Sequence, residues 1–299
     1  MLDLIEGRSG CMVRFGRIAT AMVTPFDRKG HIDFSKTTQL VNYLIANGSE
    51  SLVVCGTTGE SPTLSKEEKL ALIDHVIKVV NKRVPVIAGT GSYNTYESIE
   101  LTKKAENLGA DAIMLVSPYY NKPNQEGLYQ HFKSVAQETA LPILLYNIPG
   151  RSVVNVEPET IIALSQIKNI VAVKEASGNL NKMTKIIANT PDHFELYTGD
   201  DGNTLPVLSI GGVGVISVAA HVIGNEMQEM VKKFLDGQIS EAAKLHQKLL
   251  PIMVELFKAP NPVPVKTALQ MKGLDVGTVR LPLVPLTENE RLELSKRLL

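Results

Sequence analysis

The chain has 299 residues, of which 31 are Lys or Arg, 31 are Asp or Glu and 44% are hydrophobic. That length suits one large α/β barrel or two ordinary domains, and zero formal net charge argues against nucleic acid or an anionic membrane as partner. No apolar run reaches the roughly 18 residues of a membrane span, and the two cysteines, Cys11 and Cys55, make no disulfide framework, so the cytoplasm is the expected compartment.

Residues 1–11 lack the basic start and apolar core of a targeting signal. Ile5-Glu6-Gly7-Arg8 has the form of a protease-cleavage site placed in expression vectors. The expectation is a vector-derived leader over 1–11, with Met12 as the natural start.

Beyond it, apolar runs recur about every thirty residues, each followed by a helical pattern, which is the size of a strand-plus-helix unit. The first run, 17–23, leads to a helix over 35–47 closed by Gly48. The second, 51–55, ends in Gly56-Thr57-Thr58-Gly59-Glu60; Ser65 and Glu68 then form a capping box, and Leu70, Ile73, Val76, Ile77 and Val80 fall on one helical stripe. After the run 84–88, Asn94 opens a helix that Gly109 stops. The run 112–116 ends in Ser117-Pro118-Tyr119-Tyr120-Asn121, and 143–146 ends in Tyr146 and Asn147 with Arg151 close behind. Pro158 takes a tolerated first-turn position in a helix over 157–167. The run 170–174 closes on Lys174, with Glu175 next, and 194–198 on Gly199-Asp200-Asp201. The last run, 213–218, carries Ile216 and Ser217. From 226 to 256 the pattern is helical; a proline-rich break at 259–264 follows, then a helix over 265–271 and a final helix capped by Thr287 and Glu290.

These runs are rich in Val and Ile and do not alternate with polar residues, as in parallel strands buried on both faces. Eight such units predict a (β/α)8 TIM barrel, typically about 250 residues. The division expected is a barrel over 12–235 and a C-terminal helical region over 236–299. An open doubly wound sheet is the alternative, but the turn after its first strand would more often carry Gly-x-Gly-x-x-Gly, which 20–26 lacks.

In such a barrel the reactive groups belong at the carboxyl ends of the strands. Lys174 interrupts a buried strand, where lost hydration favours a neutral amine able to attack a ketone or aldehyde. Tyr146 is a phenol suited to move the protons of imine chemistry. The bland alternative is a lysine that reaches out to solvent. Gly56-Thr57-Thr58-Gly59 is either a clamp for a small carboxylate or an ordinary turn. Gly211-Gly212-Val213-Gly214 reads as close helix–strand packing. Asp200 and Asp201 read as helix capping, because no His, Asp or Glu cluster with ligand spacing accompanies them. No metal and no cofactor is expected.

Several motifs in combination carry a family resemblance: Ala21-Met22-Val23-Thr24-Pro25-Phe26, Gly56-Thr57-Thr58-Gly59-Glu60-Ser61, Pro118-Tyr119-Tyr120-Asn121-Lys122-Pro123, Tyr146-Asn147-Ile148-Pro149-Gly150-Arg151, Val173-Lys174-Glu175-Ala176 and Gly199-Asp200-Asp201. From about Gly16 onward the chain resembles the dihydrodipicolinate synthases, within the pyruvate-dependent class I lyases. The resemblance implies condensation of pyruvate with L-aspartate 4-semialdehyde, toward diaminopimelate and lysine. It makes Lys174 the imine-forming lysine and Tyr146, Thr57 and Tyr120 a proton relay, with Tyr120 reaching into a neighbouring subunit. It gives the pyruvate carboxylate to Thr57 and Thr58, the semialdehyde carboxylate to Arg151, and backbone groups near the imine to Gly199 and Ile216. It also implies a homotetramer of two tight dimers.

N-acetylneuraminate lyase and related keto-deoxy-sugar-acid aldolases, the nearest alternative, share the lysine and tyrosine, so Lys174 and Tyr146 do not discriminate; Arg151, the paired threonines and Tyr119-Tyr120 favour the synthase. A catalytically silent regulatory barrel is the non-enzymatic alternative, and it would be expected to have lost relay positions that are all occupied here. The resemblance further implies weak or absent inhibition by lysine. Lys66, Lys69 and Tyr93 replace the histidines and asparagine of lysine-sensitive relatives, while Glu97 and Tyr119 remain.

Overall fold

A computed structural model describes residues 14–298; the expected leader and Cys11 lie outside the described residues. The eight apolar runs are eight strands: β1 (Ile18–Ala21), β2 (Ser51–Val54), β3 (Val86–Gly89), β4 (Ala112–Val116), β5 (Ile143–Asn147), β6 (Ile170–Glu175), β7 (Glu195–Thr198) and β8 (Gly214–Ser217). They are parallel and hydrogen-bonded in chain order, and the sheet closes on itself. The closing edge includes the bond from Val215 N–H to the Arg17 carbonyl, 2.9 Å. Closure excludes the open doubly wound sheet.

Nearly every strand residue is buried. One face of each strand fills the barrel and the other meets helices, which is why the runs carry no polar alternation. The helices are α1 (Phe34–Ala46), α2 (Lys66–Val80), α3 (Thr95–Leu108), α4 (Gln125–Ala136), α5 (Pro149–Ser152), α6 (Pro158–Leu164), α7 (Leu180–Asn189), α8 (Thr204–Ser209), α9 (Ala220–Leu235), α10 (Ile239–Glu255), α11 (Val263–Met271) and α12 (Glu288–Ser295). Short 3-10 turns lie at Ser61–Thr63 and Asp201–Asn203.

Local chemistry sets most of the boundaries. The Ser65–Glu68 and Thr287–Glu290 capping boxes form as expected, Asn94 caps α3, and Gly109 ends it with φ 90°. Some expectations shift. On α2 the buried stripe is Leu72, Ile73, Val76 and Val80, while Leu70 and Ile77 flank it half-buried. The helical stretch expected to start at 226 begins earlier, at Ala220, where the sequence, His221 apart, continues the apolar run of β8; a kink at Ile223 (φ −134°, ψ 32°) joins the two parts. Gly237, with φ 76°, then separates α9 from α10. Cys55 lies just past β2, buried, with φ 59°.

Contacts group the chain into two compact units, one built on Ile87–Ile216 with the segment up to Arg17, the other on Ile18–Val86 with Ser217–Leu299. In the first, Ile113, Leu144, Val173 and Leu196 of successive strands are buried. In the second, Leu40 and Leu44 of α1, Ile73 and Val76 of α2, Met227 and Met230 of α9, and Leu249 and Ile252 of α10 form the core. Among the described residues, no helix is long and apolar enough to cross a membrane.

Candidate active site

Adjacent strands of the first unit bring two of the expected groups together. Tyr146 on β5 and Lys174 on β6 share one register position, so their side chains leave the same face of the sheet. Lys174 is 5% exposed and Tyr146 4%, and the Lys174 Nζ lies 4.2 Å from the centre of the Tyr146 ring. The solvent-reaching lysine is thereby ruled out. A lysine side chain enclosed beside a phenol at a strand end is placed to add through its amine to a carbonyl carbon.

The next register position pairs Asn147 with Glu175, on the opposite face. Asn147 Nδ2 donates to Glu175 Oε2 at 2.8 Å and to Asn155 Oδ1 at 2.9 Å, while its Oδ1 accepts from Val156 N–H at 3.0 Å. Ser177 N–H donates to the other Glu175 oxygen at 2.7 Å. Asn155 in turn bonds Glu157, which pairs with Lys182 at 2.8 Å. Burial pushes the Glu175 carboxyl above its ordinary range, against the hydrogen bonds that favour its charge. This network pins the ends of β5 and β6 behind the lysine and tyrosine. The sequence marked both residues only as rim positions; their polarity directly after a buried Tyr and Lys was the available signal.

Gly199 follows β7, and its backbone N–H donates to the Glu175 carbonyl at 2.9 Å. A β-carbon there would come within 2.7 Å of Ala176 Cβ and 2.9 Å of Lys174 Cε. Glycine therefore leaves the lysine its space. Asp200 caps the following turn through Gly202 N–H at 3.0 Å, the capping role expected. Gly212 would clash with Val207 of α8 and Gly214 with the Arg17 carbonyl, so that glycine cluster is close packing. Ile216 is fully buried on β8.

Two expected residues are exposed, unlike the buried lysine and tyrosine. Tyr120, after β4, has φ 67° and is 94% exposed, so the chain alone does not bury this phenol in a site. Its neighbour Tyr119 packs edge-on against Tyr93, ring centres 5.2 Å apart, and burial pushes its phenol up. Arg151 is exposed on α5. In that turn Ser152 Oγ lies 2.9 Å from the Ile148 carbonyl and 2.8 Å from the Val154 carbonyl, and its one hydroxyl proton is donated between them.

The second unit holds the Gly-Thr-Thr-Gly turn, directly after β2. Gly59 N–H donates to the Gly56 carbonyl at 3.1 Å and Glu60 N–H to the Thr57 carbonyl at 3.0 Å. Thr24 Oγ1 donates to the Gly59 carbonyl at 2.6 Å, and Asn261 Nδ2 donates to Thr58 Oγ1 at 2.9 Å. Thr58 is buried and Thr57 half-buried. Burial pushes the Cys55 thiol up to about 12, so beside this turn it is inert. Among the described residues, no group of three or more His, Cys, Asp or Glu is disposed to hold a metal.

Comparison with known proteins adds a consistent result. Residues 14–299 match the Dihydrodipicolinate synthetase family. The chain is 65% identical over 284 residues to the 4-hydroxy-tetrahydrodipicolinate synthase of Bacillus subtilis, covering 95% of this chain and 98% of that protein. Among solved structures, a dihydrodipicolinate synthase from Bacillus anthracis superposes with a TM-score of 0.95 at 62% identity, covering 96% and 98% of the two chains. A dihydrodipicolinate synthase from Cyanidioschyzon merolae with lysine bound gives 0.93 at 45% identity, covering 95% and 97%.

Proposed function

The chain belongs to the Dihydrodipicolinate synthetase family, and from that membership we infer that it condenses pyruvate with L-aspartate 4-semialdehyde, the reaction of a 4-hydroxy-tetrahydrodipicolinate synthase. The observation that carries the chemistry is Lys174, buried at the end of β6 with its Nζ 4.2 Å from the Tyr146 ring centre.

In the proposed scheme the neutral Lys174 amine adds to the ketone carbon of pyruvate, and loss of water gives the imine. A proton leaves the methyl group and yields an enamine. Its terminal carbon attacks the aldehyde of the semialdehyde. The semialdehyde's own amine then adds to the imine carbon, closing the ring and expelling Lys174. Tyr146, Thr57 and Tyr120 relay the protons. Thr57 and Thr58 hold the pyruvate carboxylate, and Arg151 offers a planar two-pronged donor to the semialdehyde carboxylate. Gly199 and Ile216 contribute backbone groups near the imine. The scheme draws on no metal and no organic cofactor.

Tyr120 serves in this scheme from a neighbouring subunit, within a homotetramer of two tight dimers. Its exposure, together with that of Tyr96 (70%) and Tyr93 (50%), supports a covered aromatic surface in the assembly. The cytoplasm is the proposed compartment, with the catalytic barrel over 12–235 and the helical region over 236–299.

The test is substrate choice. Purified protein given pyruvate and aspartate semialdehyde should form product, followed by coupling to a dihydrodipicolinate reductase, and should not cleave N-acetylneuraminate. Sialic-acid cleavage without condensation would reassign the enzyme to the neighbouring lyases. Activity toward neither would leave a silent barrel.

A further inference from the structure

A second buried lysine lies far from Lys174 in sequence, on α11. Lys266 is 2% exposed and its Nζ pairs with Glu60 Oε1 at 2.6 Å. The same ammonium donates to the Thr278 carbonyl at 2.8 Å and lies 4.3 Å from the centre of the Phe26 ring. Glu60 is equally buried, and its other oxygen accepts from Arg280 N–H at 2.9 Å. The Arg280 guanidinium stacks 4.4 Å from the Phe26 ring centre, bonds the carbonyls of Gly30 and Thr63, and grips Glu68 with two nitrogens. Both charges of the central pair are thus enclosed, the ammonium with two hydrogen-bond acceptors and an aromatic face and the carboxylate with a donor on each oxygen.

Glu60 is the residue that ends the Gly56-Thr57-Thr58-Gly59 turn. Its backbone is left-handed (φ 55°, ψ 34°), a region that residues with a β-carbon rarely occupy. Its N–H closes the turn on Thr57, and its carbonyl accepts from Thr63 Oγ1 at 2.9 Å. The carboxylate, clamped from α11, therefore fixes the residue whose backbone shapes the two threonines. Asn261, just before α11, adds its bond to Thr58. A buried ion pair is weak as a source of stability, since well-packed apolar side chains do as well or better. Its distinctive property is directional: it holds both partners in one geometry.

We propose that Lys266 is a positioning residue for the reaction, holding the Gly-Thr-Thr-Gly turn through its buried pair with Glu60 in the shape that receives the carboxylate of pyruvate. This rests on the assignment of Thr57 and Thr58 to that carboxylate. Neither Lys266 nor Glu60 acts on a reacting atom; both act through the turn. Loss of the ammonium leaves Glu60 buried and uncompensated, and the turn relaxes to rehydrate it.

The experiment compares wild type with Lys266→Met and Glu60→Gln at a temperature where circular dichroism shows each folded. Two readouts are taken: steady-state constants for both substrates, and half-saturation of borohydride trapping by pyruvate alone. For Lys266→Met the account expects pyruvate half-saturation to rise about tenfold or more in both readouts, as removal of one partner of a buried charged pair implies. The semialdehyde KM should stay within about twofold and kcat within about threefold, which loss of folded protein would not produce. Glu60→Gln should move in the same direction by less. Unchanged pyruvate half-saturation in folded Lys266→Met, or equal rises for both substrates, would overturn the proposal. If Lys266→Met does not fold, Glu60→Gln decides: a rise of about threefold or more in pyruvate half-saturation with the semialdehyde KM held within about twofold supports the proposal, and an unchanged pyruvate half-saturation or equal rises for both substrates overturns it. Failure of the wild type to be trapped by pyruvate would instead remove the functional assignment, a separate result.

Discussion

Replacing Gly199 by alanine tests whether space around Lys174 is built into the barrel. The added β-carbon would lie 2.7 Å from Ala176 Cβ, 2.9 Å from Lys174 Cε and 3.3 Å from Lys174 Cγ. Relaxed carbon–carbon contacts are roughly 3.5–4.0 Å, so the lysine chain must retreat by about 0.6–1 Å. The Gly199 backbone cannot easily yield, because its N–H is bonded to the Glu175 carbonyl at 2.9 Å. Displacement of a reacting group by about 1 Å costs on the order of 100-fold. Overpacking costs about 1–3 kcal/mol of stability, so the variant should fold with a lowered Tm. We predict a fall in kcat of about 100-fold, with slower borohydride trapping by pyruvate at Lys174 and an unchanged far-ultraviolet spectrum. A folded Gly199→Ala enzyme turning over within about threefold of wild type would refute the steric reasoning.

Three further expectations follow from other parts of the structure. Mixing Tyr120→Phe subunits with Lys174→Ala subunits should restore activity, since a mixed dimer contains one site with both residues; no recovery despite proven subunit exchange would refute relay across the interface. His221, fully buried, accepts Val23 N–H at Nε2 (3.2 Å), with Nδ1 against the Val218 carbonyl (2.8 Å), an arrangement that suits the neutral ring and sets a second proton against an N–H. Burial lowers its pKa from 6.5 to about 4, and does the same to His131. The unfolded chain therefore takes up these protons first. Stability from each histidine is complete above about pH 6.5 and is lost as pH falls toward 4, on the order of 3 kcal/mol apiece. Urea unfolding midpoints should fall across that window, and His221→Gln should make the slope measurably shallower; an unaltered slope would contradict the assignment. Free lysine should inhibit weakly or not at all, because Lys66 and Lys69 add positive charge at positions expected to face a cationic ligand and Tyr93 packs edge-on against Tyr119; strong inhibition at sub-millimolar lysine would show that these residues leave the pocket open.

Strand positions were legible because burial on both faces leaves an unbroken apolar run, and each run matches a strand to within a few residues at its ends. The lysine and tyrosine were legible for the same reason: a polar residue closing such a run is conspicuous. The start of α9 was not, since 219–223, His221 apart, continues the apolar run of β8, and the kink at Ile223 breaks the helical register between this first turn and the rest. The Glu60–Lys266 pair joins residues 206 positions apart; a lysine on a helix carries no mark of burial until its partner is known. The steric role of Gly199 depends on where the Lys174 chain runs, which its place after a strand does not reveal. Asn147 and Glu175 stand next to the conspicuous residues, yet alternation turns them to the other face, where their bonding depends on 155–157.

The central claim is that Lys174 is the amine that captures pyruvate. Incubation with pyruvate and borohydride, followed by peptide mapping, tests it most directly. The account predicts a reduced adduct on Lys174 alone, formed without added metal or cofactor and absent in Lys174→Ala. An adduct on another lysine, or undiminished turnover in Lys174→Ala, would contradict it.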